Sequence, residues 1–139
     1  SNVNLSSGIA PIRKLIERNI PIGLGSDISG GHIVSMAKIL TEAIGLSKMK
    51  WAEVDPNYAP LTLSEAFYMA TKGGGQFFGH VGSFEKGYEL DALIIDDTSL
   101  FDLNERSLEE RLERWLYVGD DRHIIERYVA GRVVPSPKG

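Results

Sequence analysis

A short run near the start of the chain leaves little freedom in the choice of fold. Ile20-Pro21-Ile22-Gly23-Leu24-Gly25 is apolar almost throughout and closes on Ser26-Asp27. A strand with one wet face alternates polar and apolar residues, whereas an unbroken apolar run predicts a strand covered on both faces. Ahead of it, Ile9, Ile12, Leu15 and Ile16 recur at helical spacing, and Pro11 suits a first helical turn, so a short amphipathic helix is expected over 7–19. A helix feeding a doubly covered strand is an α/β arrangement.

The rest of the chain supports that class. A polar, glycine-bearing loop, Ser26 to Gly31, leads into an expected helix over 33–46, where Met36, Ile39, Leu40, Ala43 and Ile44 share a face and Gly45 weakens the end. Residues 48–60 read as irregular, with Asp55-Pro56-Asn57 as a turn. Thr62-Leu63-Ser64-Glu65 is a capping box opening a helix through Ala70, which Gly73-Gly74-Gly75 is expected to stop. Beyond the turn-rich link Gly82 to Gly87, Asp91 to Asp96 reads as a second buried strand. A further capping box, Ser107 to Glu110, opens a helix that presents Leu108, Leu112, Trp115 and Leu116 on one face and ends before Gly119, and Tyr128 to Val134 reads as a hairpin turning near Ala130-Gly131. The character of the chain changes near Gly82, which divides it into 1–81 and 82–139.

Composition narrows the chemistry. Fifteen Lys and Arg against nineteen Asp and Glu give a net charge of -4, without the basic cluster that a nucleic-acid partner needs. The absence of cysteine removes disulfides, thiolate catalysis and Cys-based zinc sites. No apolar stretch is long enough to cross a membrane and no signal peptide is visible, so a cytoplasmic protein without a membrane partner is expected. Asn4-Leu5-Ser6 fits a glycosylation sequon only formally. The chain starts Ser1-Asn2 without an initiator Met, as a tag scar or a cut from something longer would leave it.

Neither the dinucleotide fingerprint nor the Walker pattern is present, because Ile28 stands where the third glycine of G-x-G-x-x-G belongs. His32, His80 and His123 are too far apart to form a ligand pair on one element. Glu109, Glu110, Glu113 and Arg114 read as a solvated helix face. That leaves Asp27. A carboxylate where a covered strand ends faces the crevice in which barrel and open-sheet enzymes hold their sites, yet an Asp there can equally cap the next helix or turn the loop. Spacing alone leaves both readings open.

Longer matches carry a resemblance. Ser1-Asn2-Val3-Asn4-Leu5-Ser6-Ser7-Gly8-Ile9-Ala10-Pro11, Gly23-Leu24-Gly25-Ser26-Asp27, Leu61 to Phe67 with Ala70-Thr71-Lys72-Gly73-Gly74, and Gly82 to Gly87 before Asp91-Ala92 resemble the final third of metal-dependent amidohydrolases that deaminate or dechlorinate heterocycles. Asp27 to Gly31 and Trp115 to Ile124 look most like the guanine-deaminating members. The resemblance implies the carboxyl-terminal part of a (β/α)8 barrel plus part of a small β-sandwich, with 1–81 giving the last barrel strand and its helices and 82–139 the sandwich portion. A complete barrel takes roughly 250 residues, so the remaining metal ligands, histidines on earlier strands, are expected upstream of Ser1.

The implied chemistry is zinc-assisted hydrolysis of guanine to xanthine and ammonia, in which zinc lowers the pKa of its bound water toward about 7. Asp27 looks like a metal ligand that also takes the proton from that water and passes it to the leaving ammonia. The implied partners are a small purine and a second copy of the chain in a homodimer. Other heterocycle deaminases or chlorohydrolases, and a binding or assembly module without metal, are the competing readings. Departures are small: Ser26 replaces a usual Thr, and Gly75 and Phe78 stand where Ala and Leu are more common. Taken alone, the chain is expected to be inactive and to self-associate or rearrange, because its covered strand lacks neighbours.

Overall fold

The computed structural model describes residues 2–100 and 103–135, so Ser1 lies outside the described residues. The helices are α1 (Ile12–Glu17), α2 (Met36–Glu53), α3 (Leu63–Ala70), α4 (Lys72–Gly75) and α5 (Leu108–Val118). The strands β1 (Ala92–Ile95), β2 (Ile124–Val129) and β3 (Arg132–Val133) form an antiparallel sheet in the order β1-β2-β3.

Local signals built several of these elements as expected. Both capping boxes form: Thr62 Oγ1 accepts from the Glu65 N–H while Glu65 returns to the Thr62 N–H, and Ser107 and Glu110 do the same for α5. Each pairing satisfies amides that a helix start would leave open. The β2-β3 hairpin turns at Ala130 and Gly131, whose φ angles of +49° and +74° are the left-handed pair that a type I′ turn demands.

The core joins α2, α3 and α5. Leu40, Ile44, Leu61, Ala66, Met69, Trp115 and Leu116 are buried together, with Ile22, Leu24, Ile95 and Ile124 packed at the margin, so one apolar cluster draws on residues from both sides of Gly82. A second tie fixes α1 to the start of α3. Arg13 donates to both carboxylate oxygens of Glu65, at 2.6 and 2.9 Å, and to the carbonyls of Ala59 and Pro60.

Five expectations are corrected. The run Ile20 to Gly25 forms no strand among the described residues; Ile22 and Leu24 are half-buried while Pro21, Gly23 and Gly25 are exposed, so only one face is covered. A strand exists only as part of a ladder, and here the Leu24 N–H donates to the Met69 carbonyl at the end of α3 (3.1 Å). The second helix starts at Met36 rather than Ile33 and runs past Gly45 to Glu53, taking in residues read as irregular. Buried Ser47 explains the extension: its hydroxyl donates to the Ile44 carbonyl (2.7 Å) and accepts from the Leu61 N–H (2.9 Å), stitching this turn to the segment entering α3.

The glycine triplet does not stop a helix but forms the short α4. Close approach explains it, since a Cβ on Gly73 would fall 2.9 Å from the Tyr68 ring and one on Gly23 would fall 2.8 Å from Gly74 Cα. Finally, β1 is a strand but not a buried one, because Leu93 and Ile94 are 50% and 43% exposed. On α5, Trp115 and Leu116 are buried as expected, whereas Leu108 is exposed and Arg114 is half-buried rather than fully solvated.

Candidate active site

Asp27 ends the extended segment that packs against α3 and α4. Its backbone is left-handed, with φ +46°, a conformation that Asp tolerates better than most residues. The Gly31 N–H closes a tight turn on the Asp27 carbonyl at 2.6 Å, and Ser29 within that turn has φ +96°. Gly30 lies against the acid: a Cβ there would fall 2.8 Å from Asp27 Oδ2 and 3.2 Å from the Leu5 methyl Cδ1.

Asp27 is exposed, and its carboxylate makes no hydrogen bond or ion pair among the described residues. The helix-cap reading is corrected, because the N-cap of α2 is Ser35, whereas the loop-turn reading holds, because Asp27 opens the turn closed by the Gly31 N–H. What remains is an acid held by its backbone and unengaged at its oxygens.

The described residues bring together no group of three His, Asp or Glu side chains that could hold a metal ion. Asp27 offers a free oxygen donor of the kind a metal ion takes, and the described residues complete no coordination set around it. His32 is exposed and His80 packs against Tyr88 in a tilted arrangement, with ring centroids 5.3 Å apart. His123 Nδ1 accepts from the Asp120 N–H at 3.1 Å.

That last contact gives the segment Trp115 to Ile124 a structural role. Asp120 pairs with Arg122 at 2.6 Å, and this hydrogen-bonded guanidinium holds the Asp120 carboxyl far below its usual range. Trp115 Nε1 donates to the Asp120 carbonyl at 3.4 Å, and Gly119 leaves no room for a Cβ against the Trp115 ring. Together these residues fold the corner between α5 and β2.

Two cavities flank Gly23 to Gly25, and Asp27 lines neither. The larger, about 1740 Å³, is bordered by Phe67, Phe77, Phe84, Leu93 and Leu108. At well above the ~300–1,000 Å³ of a small-molecule pocket, and with Phe84 80% exposed on its rim, it is an open apolar surface rather than a closed substrate pocket. No helix among the described residues is long and apolar enough to cross a membrane.

One contact at the acid had no signal in the sequence beyond an idle sequon: Asn4 Nδ2 donates to the Gly30 carbonyl at 2.7 Å. A side chain and a backbone carbonyl separated by this much sequence cannot be paired by spacing, and only the folded path of the chain brings them together.

The family model described as "Amidohydrolase family" matches residues 1–134, and the chain belongs to that family. It is 38% identical to guanine deaminase of Dictyostelium discoideum over 96% of this chain and 31% of that protein. Among solved structures it superposes on guanine deaminase of C. acetobutylicum, which holds guanine in its active site, with a TM-score of 0.90 and 53% identity, covering 96% of this chain and 32% of that one. On the E. coli guanine deaminase the TM-score is 0.83 at 31% identity, over 99% of this chain and 32% of that one. The chain thus spans about a third of the length of the relatives it matches.

Proposed function

We propose that this chain is the third of a guanine deaminase that carries the catalytic carboxylate, Asp27. The observation behind the reading is an acid with both oxygens unengaged at the end of an extended segment, within a chain 53% identical to a guanine-binding deaminase. The reaction is hydrolytic: water adds to the amino-bearing carbon of guanine, the carbon–nitrogen bond breaks, and xanthine and ammonia leave.

A divalent ion, zinc in this proposal, would supply a bound water whose pKa is lowered toward about 7. Asp27 takes the water proton on a carboxylate oxygen and returns it to the departing amine, so the acid ends the cycle ionised as it began. The left-handed turn at Asp27 and the bare face of Gly30 hold its position.

Within the same reading, 1–81 supplies the last barrel strand and its helices and 82–139 contributes to the small sandwich. Extended but unladdered, Ile20 to Gly25 is a strand awaiting neighbours from the rest of the barrel. Ammonia release from guanine, adenine derivatives and cytosine, measured on the full-length protein, tests the assignment. Guanine is expected to lead the panel, and a clear preference for another heterocycle would reassign the substrate.

A further inference from the structure

The turn that carries Asp27 is short, locally strained and reached from outside by a single hydrogen bond among the described residues. That bond comes from Asn4, whose Nδ2 donates to the Gly30 carbonyl at 2.7 Å. Left-handed Asp27 (φ +46°) and Ser29 (φ +96°) persist only if their surroundings hold them there. The Gly31 N–H to Asp27 carbonyl bond closes the turn from within, but it does not fix where the turn points relative to the rest of the chain.

Asn4 can fix it, because its loop runs directly into Ile9, whose carbonyl accepts from Lys50 Nζ of α2 at 3.2 Å. The Ser6 N–H donates to the Val3 carbonyl at 3.1 Å and the Ser7 N–H to the Asn2 carbonyl at 2.9 Å, folding 2–7 into a compact loop. That loop presents two groups to one residue: the Asn4 amide to the Gly30 carbonyl and the Leu5 methyl to the Gly30 α-carbon face. Asp27 Oδ2 faces the same side of Gly30, the space a side chain would fill. Gly30 thus has the loop and the reactive carboxylate together on its bare face, with Asn4 holding its carbonyl, so a shift of Gly30 is expected to move the acid.

We propose that Asn4 is a positioning residue for Asp27, acting through the Gly30 carbonyl to set where the carboxylate points. This rests on the assignment of Asp27 as the metal-facing acid. Misplacing a reacting group by about 1 Å costs up to a hundredfold in rate, so loss of one such tether is expected to show in turnover. Exposed Asn4 contributes nothing to the core, so the effect is expected without a matching loss of stability.

The test uses the full-length, metal-loaded enzyme with Asn4→Asp, which keeps the size but removes the amide donor, and Asn4→Ala. Both are expected to lower kcat for guanine about tenfold with KM within about twofold, and to speed metal loss to a chelator about tenfold, with Tm within about 2 °C of wild type. Gly30→Ala, which drives a methyl toward Asp27 Oδ2, is expected to reproduce the kcat loss and to combine with Asn4→Ala less than additively. Unchanged kcat and metal release in the Asn4 variants overturn the proposal, as do losses that track Tm and add fully to those of Gly30→Ala. Asp27→Asn separates the two layers. If it is inactive while the Asn4 variants are wild type, only the positioning role fails; if it turns over normally, the assignment of Asp27 fails with it.

Discussion

Replacing Glu65 by Gln removes one charge from the clamp between α1 and α3 while leaving its shape. Hydrogen bonds from Arg13, opposed by partial burial and assisted by the Thr62 N–H, lower the Glu65 carboxyl from its usual 4.5 to about 2. Taken at face value, that shift corresponds to roughly 3 kcal/mol at ~1.4 kcal/mol per unit. The Glu65 side chain is 33% exposed, however, and solvent screening brings the expected loss to about 1–2 kcal/mol at pH 7. Gln can still accept from the Thr62 N–H, so the capping box survives the change.

The pH dependence follows from the direction of the shift. The folded-state pKa is depressed, so the contribution is complete above the unfolded value of 4.5 and fades as the pH falls through about 2. Urea unfolding of the chain, followed by emission from buried Trp115, measures the difference. Wild type is expected to lead Glu65→Gln at pH 7 and the gap to close between pH 4.5 and 2. A gap that stays constant over that range would refute the charge argument and leave packing as the cause.

Further outcomes follow from close approach, capping and exposed surface. Gly23→Ala puts a methyl 2.8 Å from Gly74 Cα, and prising the extended segment from α4 is expected to cost about 1–3 kcal/mol by urea unfolding; a neutral result would mean the two backbones part freely. Ser107→Ala removes the acceptor for the Glu110 N–H and is expected to cost about 1 kcal/mol, read in the same assay, with no effect if α5 is held by its core face alone. Because Phe67, Phe77, Phe84 and Leu93 are exposed along one groove, the isolated chain is expected to self-associate, seen as concentration-dependent sedimentation. A monomer at every concentration would contradict that.

The sequence made legible whatever its neighbours in the chain decide. Thr62 and Ser107 announce their helices because a capping box is complete within one turn, and Ala130-Gly131 announces its hairpin because the turn type needs left-handed residues. Asp27 stood out because a carboxylate where a covered strand ends faces the crevice in which such folds hold their sites. Features that depend on distant partners were hidden. The length of α2 turns on Ser47 meeting Leu61, and the glycine triplet turns on Gly23 and Tyr68 approaching it. The strand character of Ile20 to Gly25 needs neighbours that no described residue provides, so its apolar pattern was readable while its ladder was not.

The measurement closest to the central claim is guanine-dependent ammonia release by the full-length protein and its Asp27→Asn variant, with bound metal and Tm recorded for both. If Asp27 is the proton-carrying acid, the variant is expected to lose at least about a hundredfold in kcat while melting as wild type does. An Asp27→Asn protein that deaminates guanine at the wild-type rate would contradict the assignment of this site.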